Sequence, residues 1–414
     1  MLENYFRTKP TLTDHVTGKP LSGAYPQELM EIFSDELFDT ASMEIPNWPG
    51  YELTPLPSLD GLASVLNFNA VHYKDESGRF GLGSFKALGG AYAVLRVLSA
   101  QTGLAPSDIR AGVAKEAVGE LTVAAATDGN HGRSVAWGAG KAGCQCRIYI
   151  HRGVSDGRRR VMEELGATVT RTAGDYDDSV RVCARDAAAH AWQVVSDTSY
   201  PGYDQIPRDV MAGYGLMVTE ILSQLSQPPS HMILQAGVGG LAAALAARFW
   251  LECGEERPRL IVVEADRAPS LLKSAQVGKL HTVSISEETI MAGLSCGEVS
   301  PLAWEVLWRC ADHFVTVADE FVAPAMRCLA SGELGGGNIE GGECSTAGLI
   351  ALIAIATDQK LRGKFSLNQD SRVLLIGSEG ATDPELYHSI VAVERLPLVK
   401  RRRADFPKRN ITIS

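Results

Sequence analysis

From Leu121 onward the chain switches repeatedly between two hydrophobic patterns, and that alternation decides the fold class. LTVAAA reads as a strand, DGNHG as a loop, RSVAWGAGKAG as a helix and CQCRIYI as a strand again. The helix SDGRRRVMEELGA, the strand TVTRTAG, the helix DYDDSVRVCARDAAAHA and the strand WQVVSD continue the series. A second run follows: a helix over MAGYGLMVTEILSQL, the strand HMILQA, the turn GVGG, the helix LAAALAARFWLEC and the strand RLIVVEAD, with SRVLLIG as a later apolar strand. Earlier, TPLPSLDGLA reads as a turn leading into a short helix. Short apolar runs with helices between them favour an α/β fold, a parallel sheet covered on both faces. At 414 residues, two such units are expected.

Composition excludes several classes of function. A net charge of −10 argues against nucleic acid or an anionic membrane as a partner. The N-terminus MLENYFRTKPTLTDHV lacks the apolar centre of a signal peptide, and no apolar run is long enough to span a bilayer, so a cytoplasmic protein is expected. The eight cysteines are scattered, with Cys144 and Cys146 the only close pair, placed on one face of a strand. Without C-x-x-C or histidine spacing they read as reduced core thiols, and no metal site is expected. The basic tail VKRRRADFPKRNITIS reads as a solvated or partner-covering extension.

Four segments carry candidate chemistry. In KDESGRFGLGSFKALGGAY a single lysine, Lys86, lies between a glycine-rich approach and a run of small residues. That setting suits an amine that must meet a flat cofactor better than a solvated surface lysine. In QAGVGGLAAALAA, the residues Gly237, Val238, Gly239, Gly240 and Leu241 pass from a strand into a helix, where free N–H groups and the helix dipole would attract an anion. The Walker ending and the full dinucleotide fingerprint are missing, so one phosphate fits better than a pyrophosphate. A tight strand-to-helix turn reads the same residues equally well. TDGNHG offers Asp128 and Asn130, with His131 as a structural histidine, and SEGATD ends another strand at Ser378. Loops at the carboxyl ends of strands are where open α/β sheets bind ligands.

Together, KDESGRFGLGSFK, DGNHG and GVGG resemble the fold-type II family of pyridoxal-phosphate enzymes, which includes serine and threonine dehydratases and the tryptophan synthase β chain. Within it, KDES-RFGL-FK, the aspartate of TDGNHG and the segment VVSDTSYPGYDQIPRDVMAGY resemble the diaminopropionate ammonia-lyase group. The resemblance runs from about TPLPSLDGLA to SEGATDPELY. It implies two open-sheet α/β domains with the cofactor in the cleft between them. The small one would be residues 87–196, and the large one 1–86 together with 197–414.

The same resemblance makes Lys86 the residue joined to pyridoxal 5′-phosphate and the stretch from Gly237 to Leu241 its phosphate loop. Asn130 would bond the ring hydroxyl, and Ser378 would lie near the pyridine nitrogen. Strand alternation would turn Glu379 away. Asp128 and Asp197 match the two acids of the group: Asp128 as a base on the face opposite Lys86, Asp197 to hold or protonate the distal amine of a small amino-acid substrate. Both acids also read as turn residues. A homodimer is implied as well.

Three functions follow. The first is elimination from 2,3-diaminopropionate, D or L, to pyruvate and two ammonia. The second is a dehydratase or lyase acting on serine, threonine or another β-substituted amino acid. The third is a non-catalytic binding protein that kept the fold. Asp175 is expected to cap a helix, and His231 to be structural. Glu343 and Ser345 in GGECSTAG are candidate site-lining groups. SGELGGGNIEG, just before them, is a candidate lid or dimer contact.

Overall fold

The computed structural model describes residues 1–16, 23–127 and 129–392. Its ten strands are β1 (Leu12–Val16), β2 (Ala70–Asp75), β3 (Thr122–Ala126), β4 (Gln145–Ile150), β5 (Thr168–Arg171), β6 (Gln193–Val194), β7 (His231–Gln235), β8 (Arg259–Ala265), β9 (Ala311–Val317) and β10 (Arg372–Gly377). They form a six-stranded sheet in the order β1-β9-β8-β7-β10-β2 and a four-stranded sheet in the order β5-β4-β3-β6. Apart from β1, which runs antiparallel to β9, every pairing is parallel.

Parallel pairing places the carboxyl ends of neighbouring strands along one edge. β7, β10 and β2 are adjacent, so the segments that follow them emerge side by side: GVGG after β7, Ser378 after β10 and the approach to Lys86 after β2. The small sheet does the same. β3 leads into Asn130, and β6 leads into Asp197.

β7 is buried at every position, which accords with a central parallel strand covered on both faces. On one face lies the Gly240–Cys253 helix, and on the other the apolar Ala347–Ala356 helix, buried over nearly its whole length. The expected MAGYGLMVTEILSQL helix is two helices, Gln205–Tyr214 and Leu216–Gln224. They meet at Gly215, where an added Cβ would stand 2.2 Å from Phe38, so the Phe38 ring occupies the space beside the junction. Asp175 does cap the Tyr176–His190 helix, accepting from the Asp178 N–H at 3.0 Å. Cys146 is buried in β4, but Cys144 lies just before the strand, and all eight cysteines are free. Among the described residues no helix is long and apolar enough to cross a membrane. The basic tail lies outside the described residues.

Candidate active site

Lys86 opens the Lys86–Thr102 helix. The three residues before it are laced to the segment after β10: the Phe85 N–H donates to the Ser378 carbonyl at 3.0 Å, and the Gly380 N–H donates to the Gly83 carbonyl at 2.9 Å. The amine therefore stands at the carboxyl edge of the large sheet. There it forms an ion pair with Asp197, the two side chains being 23% and 17% exposed, so both are sheltered yet reachable. Burial alone would lower the lysine's pKa, but the Asp197 carboxylate outweighs it and holds Lys86 above the ordinary lysine range. Burial would raise Asp197, yet Lys86, and then His131, hold it well below the usual carboxylate range. Asp197 is thus an anion and Lys86 a cation wherever they face each other.

The small residues after Lys86 have a reason different from cofactor approach. A Cβ on Gly89 would lie 2.4 Å from the Tyr214 ring, and one on Gly90 would lie 2.5 Å from Ser134 Oγ. The run lets two helices, Gln205–Tyr214 and Asn130–Ala142, press against this one. Tyr214 reaches the neighbourhood of Lys86 by this packing and meets Phe85 edge-on at 4.7 Å.

The glycine turn has the shape of an anion cradle. Gly239 sits at φ +96°, a left-handed conformation that favours glycine. A Cβ on Gly237 would fall 2.6 Å from the Gly293 carbonyl and 2.9 Å from Cys296 Sγ. Gly240 and Leu241 then begin a 14-residue helix, whose first N–H groups have no partners within the helix. Val238 anchors the turn through its carbonyl, which accepts from the Ser300 N–H at 2.9 Å. The Cβ position of Gly240 is 3.9 Å from the Asp197 carbonyl oxygen, so the turn runs beside the main chain that carries the ion-paired acid. A glycine turn that opens a helix offers free N–H groups of the kind that attract a small anion.

Asn130 is the first residue of its helix rather than part of a loop. Its amide donates to Glu379 Oε2 at 2.5 Å, across from the small sheet to the segment after β10. Glu379 thus faces the site, contrary to strand alternation, because β10 ends at Gly377 and its pleat no longer governs the next side chains. Ser378 is buried beside it at the same edge. His131 Nε2 lies 2.8 Å from the Val195 carbonyl, a structural contact. Asp128 lies outside the described residues.

The GGECSTAG segment also meets Glu379. Ser345 Oγ donates to the Glu379 carbonyl at 2.6 Å and accepts from its N–H at 2.8 Å, so this hydroxyl serves the main chain. Burial first, and then the nearby Glu379 charge, push the Glu343 carboxyl up to about 7. The preceding glycine-rich stretch packs on the turn before the Asp60–Leu66 helix, with the Leu62 N–H donating to the Leu334 carbonyl at 2.9 Å. His231 is buried and pairs through Nδ1 with Ser230 Oγ at 2.8 Å.

Sequence reasoning overlooked one large feature, a buried charge cluster behind the Lys86 loop. Arg79 grips Glu220 through two nitrogens, each at 2.8 Å, and Glu76 through two more bonds of 2.8 Å. Lys74 stands 2.6 Å from the same Glu220 carboxylate. Its signal was visible in KDESGR, where four charged residues of both signs precede a glycine-rich stretch.

Comparison with known proteins shows the family. Residues 48–379 match the family model described as pyridoxal-phosphate dependent enzyme. A diaminopropionate ammonia-lyase of Escherichia coli (strain K12) is 39% identical over 83% of this chain and 88% of its own length. The chain belongs to the pyridoxal-phosphate-dependent enzymes, in their diaminopropionate ammonia-lyase group. A second member, from Salmonella typhimurium, is 36% identical over 83% of this chain and 89% of its own. The crystal structure of the holo E. coli enzyme superposes with a TM-score of 0.86 at 35% identity, covering 93% of this chain and 97% of that one. The same enzyme in complex with an aminoacrylate–PLP azomethine reaction intermediate gives a TM-score of 0.83 at 35% identity, covering 92% and 97% of the two chains.

Proposed function

We propose that this chain is a pyridoxal-phosphate-dependent ammonia-lyase that converts 2,3-diaminopropionate to pyruvate and two ammonia. The observation that carries the reading is the Lys86–Asp197 pair set beside the Gly237 turn, in a chain of this family. The bound cofactor supplies an electron sink for the pair left at Cα when its proton is removed. Lys86 holds the cofactor and, when freed by substrate, moves the Cα proton. The residues from Gly237 to Leu241 hold the phosphate, Asn130 the ring hydroxyl, and the neutral hydroxyl of Ser378 faces the ring nitrogen. Residues 87–196 form the small domain, with the cleft against the remainder.

Asp197 is best suited to holding the distal amine rather than protonating it. A carboxylate kept anionic has no proton to give, but it stabilises an ammonium, and an ammonium departs as neutral ammonia. A substrate ammonium seated on Asp197 also shares the charge that keeps Lys86 protonated, and so eases the release of a base. Asp128 supplies a second base for the other enantiomer. The working molecule is a cytoplasmic homodimer.

The test is a panel of D- and L-diaminopropionate, serine and threonine, assayed for pyruvate and ammonia. Turnover of diaminopropionate above the hydroxy amino acids is expected. Turnover of serine or threonine alone would replace the reading with a dehydratase. Purified protein should be yellow and bleach with borohydride, whereas a colourless protein that takes up no cofactor would overturn both.

A further inference from the structure

Asn130 has an amide whose two ends are nearly the same shape and opposite in polarity. Nothing in its own geometry determines whether nitrogen or oxygen faces a ligand. Glu379 removes that ambiguity. Its Oε1 accepts from the Cys344 N–H at 3.1 Å, and its Oε2 accepts from Asn130 Nδ2 at 2.5 Å. The carboxylate cannot drift, because its main chain is held on both sides by Ser345 Oγ and by the Gly342 N–H, which donates to the Glu379 carbonyl at 2.9 Å. Gly342 closes the remaining space: a Cβ there would lie 2.9 Å from Glu379 Cγ. With both oxygens engaged as acceptors, only the NH2 end of Asn130 can face Glu379. The second N–H of that nitrogen is then left for another acceptor.

We propose that Glu379 is a positioning residue that fixes the Asn130 amide so that an N–H, not a carbonyl oxygen, is offered to the cofactor's ring hydroxyl. This rests on the cofactor reading above. It also assigns a reason for an acid directly after Ser378: it acts on the ring through Asn130 rather than through the ring nitrogen.

Glu379→Gln gives a sharp test, since the main-chain N–H of Cys344 is a fixed donor. The glutamine oxygen must face Cys344, its NH2 must face Asn130, and Asn130 must then turn its oxygen to meet it. The polarity offered to the ring reverses without a change of size. The expected result is a shifted visible band of the bound cofactor and cofactor binding weakened about tenfold, the worth of one hydrogen bond to a charged group. A fall in kcat with little change in KM should accompany it. Glu379→Asp keeps an acceptor and should restore the wild-type band at least in part. In an Asn130→Ala background, Glu379→Gln should change the band no further.

A Glu379→Gln protein with the wild-type spectrum and cofactor affinity would overturn the proposal. So would an undiminished shift in the Asn130→Ala background. If Glu379→Gln does not fold, as judged by circular dichroism, the double substitution and Glu379→Asp carry the test. An Asp variant displaced as far as Asn130→Ala would then count against orientation. Failure of the wild-type protein to bind pyridoxal 5′-phosphate at all would instead sink the cofactor reading.

Discussion

Lys86 and Asp197, 111 residues apart, close an ion pair between the loop after β2 and the segment after β6. The contact joins the carboxyl edges of the two sheets. In the function proposed above, it sets one positive and one negative side chain to sort a substrate with two amino groups and one carboxylate.

Asp197→Asn removes the charge and keeps the shape. A sheltered carboxylate facing a cation contributes a few kcal/mol to recognition. kcat/KM for diaminopropionate should therefore fall about a hundredfold or more, while any turnover of serine falls much less, since serine carries no second ammonium. Equal losses on both substrates would show Asp197 acting on Lys86 alone. Lys86→Ala should leave no colour that borohydride can bleach.

Gly237→Ala should release the cofactor. The added methyl would stand 2.6 Å from the Gly293 carbonyl, a main-chain atom that cannot rotate away, so the turn must shift. Cofactor binding, measured by equilibrium dialysis, should weaken about tenfold or more. Gly119→Ala is a suitable control, because the nearest atom to a Cβ there is 3.7 Å away, and its binding should match wild type.

The parts of the fold that could be read in advance were those with a regular local period. β3, β4, β7, β8 and β10 each follow from a short apolar run, and the helices between them from the change of hydrophobic pattern, with Asp175 read as the cap of one. β1, β2 and β9 were missed because AVHYKD and ADHFVTV mix charged or histidine side chains into strands. Those polar groups are satisfied only by distant partners, such as Glu220 for Lys74. The candidate site was picked out through its glycines and its lysine, whose settings are odd enough to need explaining. Glu379 was misjudged because pleat alternation was carried one residue past the end of β10. Tyr214 was missed because it arrives by helix packing, which no local pattern announces.

The buried cluster behind the Lys86 loop should be intolerant of single changes. Arg79 is 1% exposed and lies between two carboxylates that are themselves buried. Arg79→Met leaves Glu76 and Glu220 with the Lys74 cation and the hydroxyls of Thr54 and Tyr51 against two buried negative charges, and stranding a buried charge costs about 3–5 kcal/mol. Denaturant unfolding should report a loss of that size. A loss under about 1 kcal/mol would mean that water reaches the cluster.

Acid should weaken the large sheet before it reaches the carboxylates. His231 on β7 and His313 on β9 are 4% and 6% exposed. Burial, followed for His231 by the Arg259 charge, lowers each from 6.5 to about 4. The unfolded chain binds these protons near pH 6.5 and the folded chain only near 4, so between those values the unfolded state holds more protons and stability falls as pH falls. Each histidine can contribute on the order of 3 kcal/mol to that fall, which levels off below the folded value. His313 stacks on Phe365 at 4.0 Å, so His313→Phe keeps a flat ring in that place. Melting temperatures from pH 7 to pH 4.5 should drop less steeply in His313→Phe than in wild type. Parallel curves would mean that His313 is protonated in the folded protein, and the acid sensitivity would then belong to His231 and the carboxylates.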